Sequence, residues 1–370
     1  MKIKIAHLTS AHPRYDTRIF VKMCRSLATC KDYDVNLVVA DGMGDEVKES
    51  VNIIDAGVKS GARISRMTRT VKRVYKKAKE LRCDIYHLHD PELIPIGLKL
   101  KKLGVKVIFD AHEDLPKQIL SKPYLGRFTK TLFSNFFELY EKLTCKRFDY
   151  IVTATPYIRD KFLSINKKSM DINNFPILSE FAYETSWKEK KDEVCYVGAI
   201  SKNRGIKELI KAMELTSEIK LNLAGNFSEK IVRDEVRTYN GWQKVNELGF
   251  LNRDGVTKVI GRSKAGIVTL HPIVNYVDAL PVKMFEYMAA GIPVIASNIK
   301  LWQDIVEDAE CGICVDPMKP KEIADVIEYM ITYPKEAETM GQNGKKAVMR
   351  KYNWGVEEKK LFKVYEELLR

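Results

Sequence analysis

VDALPVKMFEYMAAGIPVIAS, residues 277–297, runs a loop, a helix and a strand together in one short span. Leu280-Pro281 opens the helix, Ala290-Gly291 stops it, and residues 293–296 read as the strand, since proline suits a first helical turn and glycine suits an end. The free amides of Val282, Lys283 and Met284 then point out of a helix N-terminus, a place that favours phosphate, and Lys283 adds a full positive charge beside them. Asp278 stands just before the helix and Glu286 lies about a turn and a half inside it. The two carboxylates suit the hydroxyl groups of one ligand; an ordinary capping Asp and an exposed Glu would leave the same pattern.

The same loop, helix and strand grammar extends along the whole chain. Short β-branched runs at 3–8, 35–39, 84–87, 105–109 and 150–154 alternate with amphipathic stretches, and the pattern restarts at 194–197, 220–224, 245–248, 265–270, 293–296 and 313–315. Such alternation predicts an α/β protein with two mostly parallel, Rossmann-like sheets in tandem. Asn-Asn-Phe-Pro and a charged WKEKKDE run place the linker within 173–191. The predicted division is an N-terminal domain over 1–178, a C-terminal domain over 179–352, and a final helix, 353–370, that can pack back on the first domain. Open sheets of this kind bind ligands outside the carboxyl ends of their strands, so two of them facing each other predict a cleft with function on the strand-to-helix loops.

In the second half, VCYVGAISKNRGIKELIKAM (194–213) reads as strand, glycine turn, basic residue and helix. That order brings Gly198, main-chain amides and the cation Arg204 to a phosphate. LNLAGN (221–226) and ELGFLNRDGVTKVIGRSKAGIVTLHP (247–272) supply later strands. Together with 277–297, these segments resemble the retaining GT-B glycosyltransferases of family four. The family's E-x7-E motif aligns with Asp278 in the first place and Glu286 in the second. The resemblance implies that Asp278 contacts the donor sugar, Glu286 the nucleotide ribose, and Gly249, Phe250 and Leu251 the base. Leu280, Val282, Lys283, Gly198 and Arg204 then form the rest of the donor site, with Arg204 and Lys283 stabilising the leaving diphosphate. Uridine is the family's commonest base. Ala199 fills a position where the family commonly carries Arg.

The first half ends its strands in polar clusters. LTSAHPRYDTRIF packs His12, Arg14, Asp16 and Arg18 into the first loop and helical turn, DIYHLHDPELIP places His87, His89 and Asp90, and VIFDAHEDLP places Asp110, His112, Glu113 and Asp114. His12, Arg14, Asp16, Arg18, His89, Asp90 and Glu113 are the predicted acceptor contacts. By the resemblance, His112 matches the family histidine near the donor sugar. An N-capping Asp16, a solvated Arg18 and a loop-organising His112 are the plainer alternatives. HDPE and DAHED mix His with carboxylate but lack metal-ligand spacing, and the resemblance implies no cofactor and no metal.

Charge is uneven. Lys and Arg outnumber Asp and Glu by 33 to 21 over residues 1–180 and by only 29 to 28 over 181–370. The excess concentrates at 63–82, RISRMTRTVKRVYKKAKELR, where Ile64, Met67, Val71, Val74, Tyr75 and Ala78 recur at helical spacing and predict one packed and one cationic face. Phe128, Phe133, Phe136, Phe137 and Tyr140 alternate with cations further on, a combination that suits a lipid headgroup layer or a buried helix with a solvated face. Nucleic acid is disfavoured because no recognised binding motif accompanies the charge. The start, MKIKIAHLTS, has no leader-like apolar core, and the seven scattered cysteines, Cys311 and Cys314 the only close pair, suit reduced thiols in the cytoplasm. These readings predict a cytoplasmic, peripherally membrane-bound enzyme. It would move sugar from a nucleotide-sugar, UDP-linked by preference, to a lipid-linked glycan of capsule or O-antigen type. A nucleotide-sugar 2-epimerase and a non-catalytic nucleotide- or carbohydrate-binding protein are the rivals.

Overall fold

The computed structural model describes residues 2–59, 61, 65–120, 126–181 and 185–370. Arg63 and Ile64 of the basic run and residues 182–184 of the expected linker lie outside them. The chain divides into two compact units, Met1–Asn174 with Gly355–Arg370, and Phe175–Trp354.

The first unit holds eight strands: β1 (Ile3–Leu8), β2 (Tyr33–Val39), β3 (Glu46–Lys48), β4 (Val51–Asp55), β5 (Ile85–Leu88), β6 (Lys106–Ala111), β7 (Tyr150–Thr153) and β8 (Ser169–Asp171). They lie in the order β3-β4-β2-β1-β5-β6-β7-β8. Every pair is parallel except β3 with β4. The order reverses between β1 and β5, and their register sets His7 opposite His87. Ile5, Leu8, Val35, Leu37, Ile85 and Leu88 are almost fully buried, as strands covered on both faces must be.

The second unit holds β9 (Glu193–Val197), β10 (Lys220–Ala224), β11 (Val245–Gly249), β12 (Ala265–Val268), β13 (Val294–Ser297) and β14 (Gly312–Val315). The all-parallel order β11-β10-β9-β12-β13-β14 is a doubly wound sheet with its switch point between β9 and β12. Helix Val282–Ala289 is buried along nearly its whole length, and Pro281 caps it.

Helix Val71–Leu81, preceded by a π-helical turn at Arg66–Thr70, buries Val71, Val74 and Ala78 and turns its lysines outward. Met67 departs from the expected packed face: it is exposed and borders a cavity, because the stretch before Thr70 is wound too widely to keep α-helical phase. All seven cysteines are free thiols. Among the described residues no helix is long and apolar enough to cross a membrane.

Candidate functional site

Polar groups converge at the carboxyl ends of β1, β5 and β6 in the first unit. Asp90, just past β5, ties down the loop after β1: its Oδ2 accepts from Thr9 Oγ1 at 2.9 Å and from the Ser10 and Ala11 amides at 2.5 and 3.2 Å. Asp110, fully buried on β6, receives a two-pronged Arg18 guanidinium at 2.9 and 2.7 Å. His89 Nδ1 and His112 Nε2 meet its Oδ2 at 3.1 and 2.8 Å. Burial opposes ionisation of Asp110, but the Arg18 charge and the two histidines hold its pKa well below the ordinary value.

An ionised Asp110 fixes the ring protons of everything behind it. His89 and His112 must both donate to it, so His89 Nε2 accepts from His7 Nδ1 at 2.8 Å. His7 Nε2 then accepts from the Tyr365 hydroxyl at 3.2 Å, and the Tyr365 oxygen accepts from His87 Nδ1 at 2.9 Å. Tyr365 stands on the closing helix, Trp354–Leu369. Burial lowers the pKa of His7, His87 and His89, which keeps the chain neutral. His7, His87 and His89, and likewise His89, Asp110 and His112, are also close enough to share a metal ion, although Arg18 already balances the Asp110 charge.

His12, His89, Asp90, His112 and Glu113 line one cavity of about 450 Å³, together with Phe137, Tyr140 and Glu141. Three expected acceptor residues do not line it. Arg14 spends its guanidinium on Asp41, Glu46 and the Gly44 carbonyl, and Arg18 on Asp110 and the Ile172 carbonyl, since a buried guanidinium needs its charge and donors matched. Asp16 caps its helix through the Arg18 and Ile19 amides at 2.9 and 3.0 Å and meets His12 Nδ1 at 3.1 Å. These three shape the loop that presents His12.

In the second unit the loops after β9 and β12 interlock. The His271 amide donates to the Asn203 carbonyl at 3.0 Å. Gly205 has φ +75°, and a Cβ there would lie 1.9 Å from the Thr269 carbonyl oxygen, so only glycine lets the two loops touch. Arg204 ends the turn Lys202–Arg204, its guanidinium 5.9 Å from the Tyr276 ring centroid. Lys283 reaches the same place from helix Val282–Ala289. Its ammonium sits 3.4 Å from the Tyr196 ring centroid and 3.6 Å from where a Cβ on Gly198 would be. Lys283 Nζ is buried with no hydrogen-bond partner among the described residues. Burial, and next the Arg204 charge, push its pKa well below the ordinary lysine value. Glu286 attracts the Lys283 charge without pairing with it, so a bound anion would supply the acceptor that Nζ lacks and favour its charged form.

Glu286 is buried and accepts from Arg253 Nη1 at 2.7 Å, so it is not the exposed surface Glu of the plainer alternative. Asp278 is half-buried in the turns at 273–279, which Trp302 pins by donating Nε1–H to the Ala279 carbonyl at 2.7 Å. Leu280 and Val282 are half-buried at the head of the helix. Gly249 takes φ +66° and its carbonyl accepts the Gly225 amide at 2.7 Å, leaving Phe250 exposed and Leu251 half-buried beside it. Gly198, Arg204, Lys283 and Glu286 thus gather around one switch point. Tyr196, Tyr276 and Arg253 join them without having stood out in the sequence, where each looks like an ordinary strand, loop or surface residue.

Two doubly wound sheets, one with the buried Lys283 and the half-buried Arg204 at its switch point, define an α/β protein of two Rossmann-like domains. Family models resolve it further: residues 17–172 match Glycosyltransferase Family 4 and residues 180–347 match Glycosyl transferases group 1. The chain belongs to the GT-B glycosyltransferases of this family 4 and group 1 type, and it is an enzyme of that class. An uncharacterized glycosyltransferase of Methanocaldococcus jannaschii is 25% identical over 300 residues, 76% of this chain and 75% of that protein. The capsular polysaccharide biosynthesis glycosyltransferase CapM of Staphylococcus aureus is 27% identical over 180 residues, 47% of this chain and 46% of its own. The structure of Anabaena HepE in complex with UDP and glucose superimposes with a TM-score of 0.75 at 13% identity, covering 99% of this chain and 100% of that one.

Proposed function

We propose that this glycosyltransferase moves a hexosyl or N-acetylhexosaminyl group, with retention, from a UDP-sugar to a lipid-linked glycan at the cytoplasmic face of an anionic membrane. Capsule or lipopolysaccharide O-antigen assembly is the corresponding pathway. The observation that carries the reading is the buried Lys283 ammonium, held against Tyr196 beside Arg204 with no hydrogen-bond acceptor. A donor diphosphate supplies the missing acceptor. As the bond between the sugar C1 and the diphosphate oxygen breaks, negative charge builds on the leaving group, and Lys283, Arg204 and the helix amides after Pro281 oppose it. Asp278 takes sugar hydroxyls, Glu286 the ribose, and the backbone of Gly249, Phe250 and Leu251 the base. His112, oriented by Asp110, faces the acceptor cavity with His12, His89, Asp90 and Glu113. CapM, a capsular enzyme by its description, and HepE, bound to UDP and glucose, support the pathway and the base. A thermal-shift screen checks the donor: UDP or a UDP-sugar is expected to stabilise the protein by mass action, about 2.7 kcal/mol at a hundredfold excess over Kd. No shift with any nucleoside diphosphate overturns the donor assignment.

The membrane part rests on helix Arg127–Cys145. Its Phe128, Leu132 and Phe136 are 83%, 58% and 60% exposed, and Phe133, Leu139 and Leu143 join them. The side-chain spacing makes a continuous apolar stripe, with Lys130, Lys142, Lys146 and Arg147 nearby. A buried helix would have hidden these rings; an interfacial helix presents them between cations. Flotation with vesicles containing anionic lipid is expected to carry the protein upward, and F128S/F136S to leave it behind. Equal flotation of the two proteins, or none with either, removes the membrane assignment.

A further inference from the structure

Arg253 opens helix Arg253–Arg262, directly after the Gly249–Leu251 loop, and bridges two carboxylates. Its Nη1 donates to Glu286 Oε1 at 2.7 Å, and its Nη2 donates to Glu180 in the turn Leu178–Phe181. The guanidinium also lies 5.8 Å from the Phe181 ring centroid. Glu286 has a nearer choice of cation in sequence. Lys283 stands three residues back on the same helix, a spacing at which Lys and Glu commonly pair, and Glu286 attracts its charge. Yet Lys283 Nζ is without a hydrogen-bond acceptor, and Glu286 is turned to Arg253 instead.

We propose that Arg253 is a positioning residue of the donor site, one that holds Glu286 away from Lys283. The carboxylate is thereby kept for the ribose and the ammonium for the diphosphate. The inference rests on the donor-site reading above and adds what keeps that site from neutralising itself. One Glu286 oxygen is spent on Arg253, which leaves the other with its lone pairs for a vicinal diol. Glu180 anchors the far prong of the guanidinium, so the fork cannot swing toward the diphosphate. Lysine cannot replace it, because a single ammonium does not span two carboxylates with fixed planar geometry.

Calorimetric titration of UDP and GDP, each against its 2′,3′-dideoxy analogue, separates this role from a structural one. In the wild-type protein the better-bound ribonucleotide is expected to bind about tenfold more tightly than its dideoxy analogue, one or two hydrogen bonds' worth. In R253Q that ratio is expected to fall toward one, with Glu180→Gln shifting it in the same direction by less. A merely structural Arg253 would weaken both nucleotides alike and leave the ratio unchanged, which overturns the inference while the donor site stands. Wild-type protein that binds neither pair, or binds ribose and dideoxyribose forms equally, removes the donor-site reading and this inference with it. Should R253Q fail to fold, Arg253→Lys answers the same question: loss of the ratio supports the role and full retention contradicts it.

Discussion

Lys283→Met is expected to lower kcat/KM for sugar transfer by about 10²- to 10³-fold, the usual cost of removing one preorganised group that stabilises developing negative charge. The same substitution is expected to leave the fold as stable as before or more so. Methionine keeps the unbranched stem beside Tyr196 and Gly198 and removes a buried charge that no hydrogen bond compensates. The two effects in opposite directions are what separate a ligand-facing lysine from a structural one. A structural lysine would lose stability on replacement and lose activity only in proportion. Kinetics with saturating acceptor, together with urea unfolding of both proteins, make the comparison. Retained transfer, or a large loss of stability, contradicts the assignment.

The second large effect is acid sensitivity of the first unit. His7, His87 and His89 are fully buried and their pKa values lie below the ordinary 6.5, through burial first. The unfolded chain therefore binds more protons than the folded one once the pH drops below about 6.5, so stability rises with pH and is lost as pH falls. Three such groups give a slope that approaches about 4 kcal/mol per pH unit. His12 has the opposite sign. Burial opposes its charge, but Asp16 and Asp90 raise its pKa, so its contribution is present below 6.5 and fades as pH rises through the higher folded value. One group against three does not reverse the trend. Asp110 adds a further loss, because its lowered pKa contributes stability that disappears only as pH falls below the ordinary 3.8. Urea titrations between pH 7.5 and 5.5 measure the slope, and His87→Gln is expected to reduce it by about a third. Flat stability across that window contradicts the neutral chain.

The strands were legible because a sheet covered on both faces demands near-continuous apolar runs, and those runs stand out between amphipathic helices. Glu46–Lys48, Val51–Asp55 and Ser169–Asp171 were not. They are runs of three to five residues at or beside the edges of the first sheet, where Val47 is exposed and the buried Val51 and Ile53 are separated by Asn52. The helix Val282–Ala289 and its lysine were legible because proline, glycine and an apolar strand mark the boundaries on either side. What the sequence concealed are the pairings. Arg14 and Arg18 read as ligand-facing cations, and only the fold shows Asp41, Glu46 and Asp110 waiting for them from other strands and loops. His7 reads as a strand residue until β1 sets it beside His87 and the closing helix brings Tyr365 to both. Arg253 is 33 residues from Glu286, and no local pattern ties the two together.

The proposed function turns on one point, a donor diphosphate seated on the cations at the second switch point. A crystal structure of the protein with UDP tests it most directly. The account predicts diphosphate oxygens within about 3 Å of Lys283 Nζ and the Arg204 guanidinium, with the ribose hydroxyls on Glu286. UDP bound with its diphosphate away from Lys283, or seated elsewhere in the molecule, would contradict it.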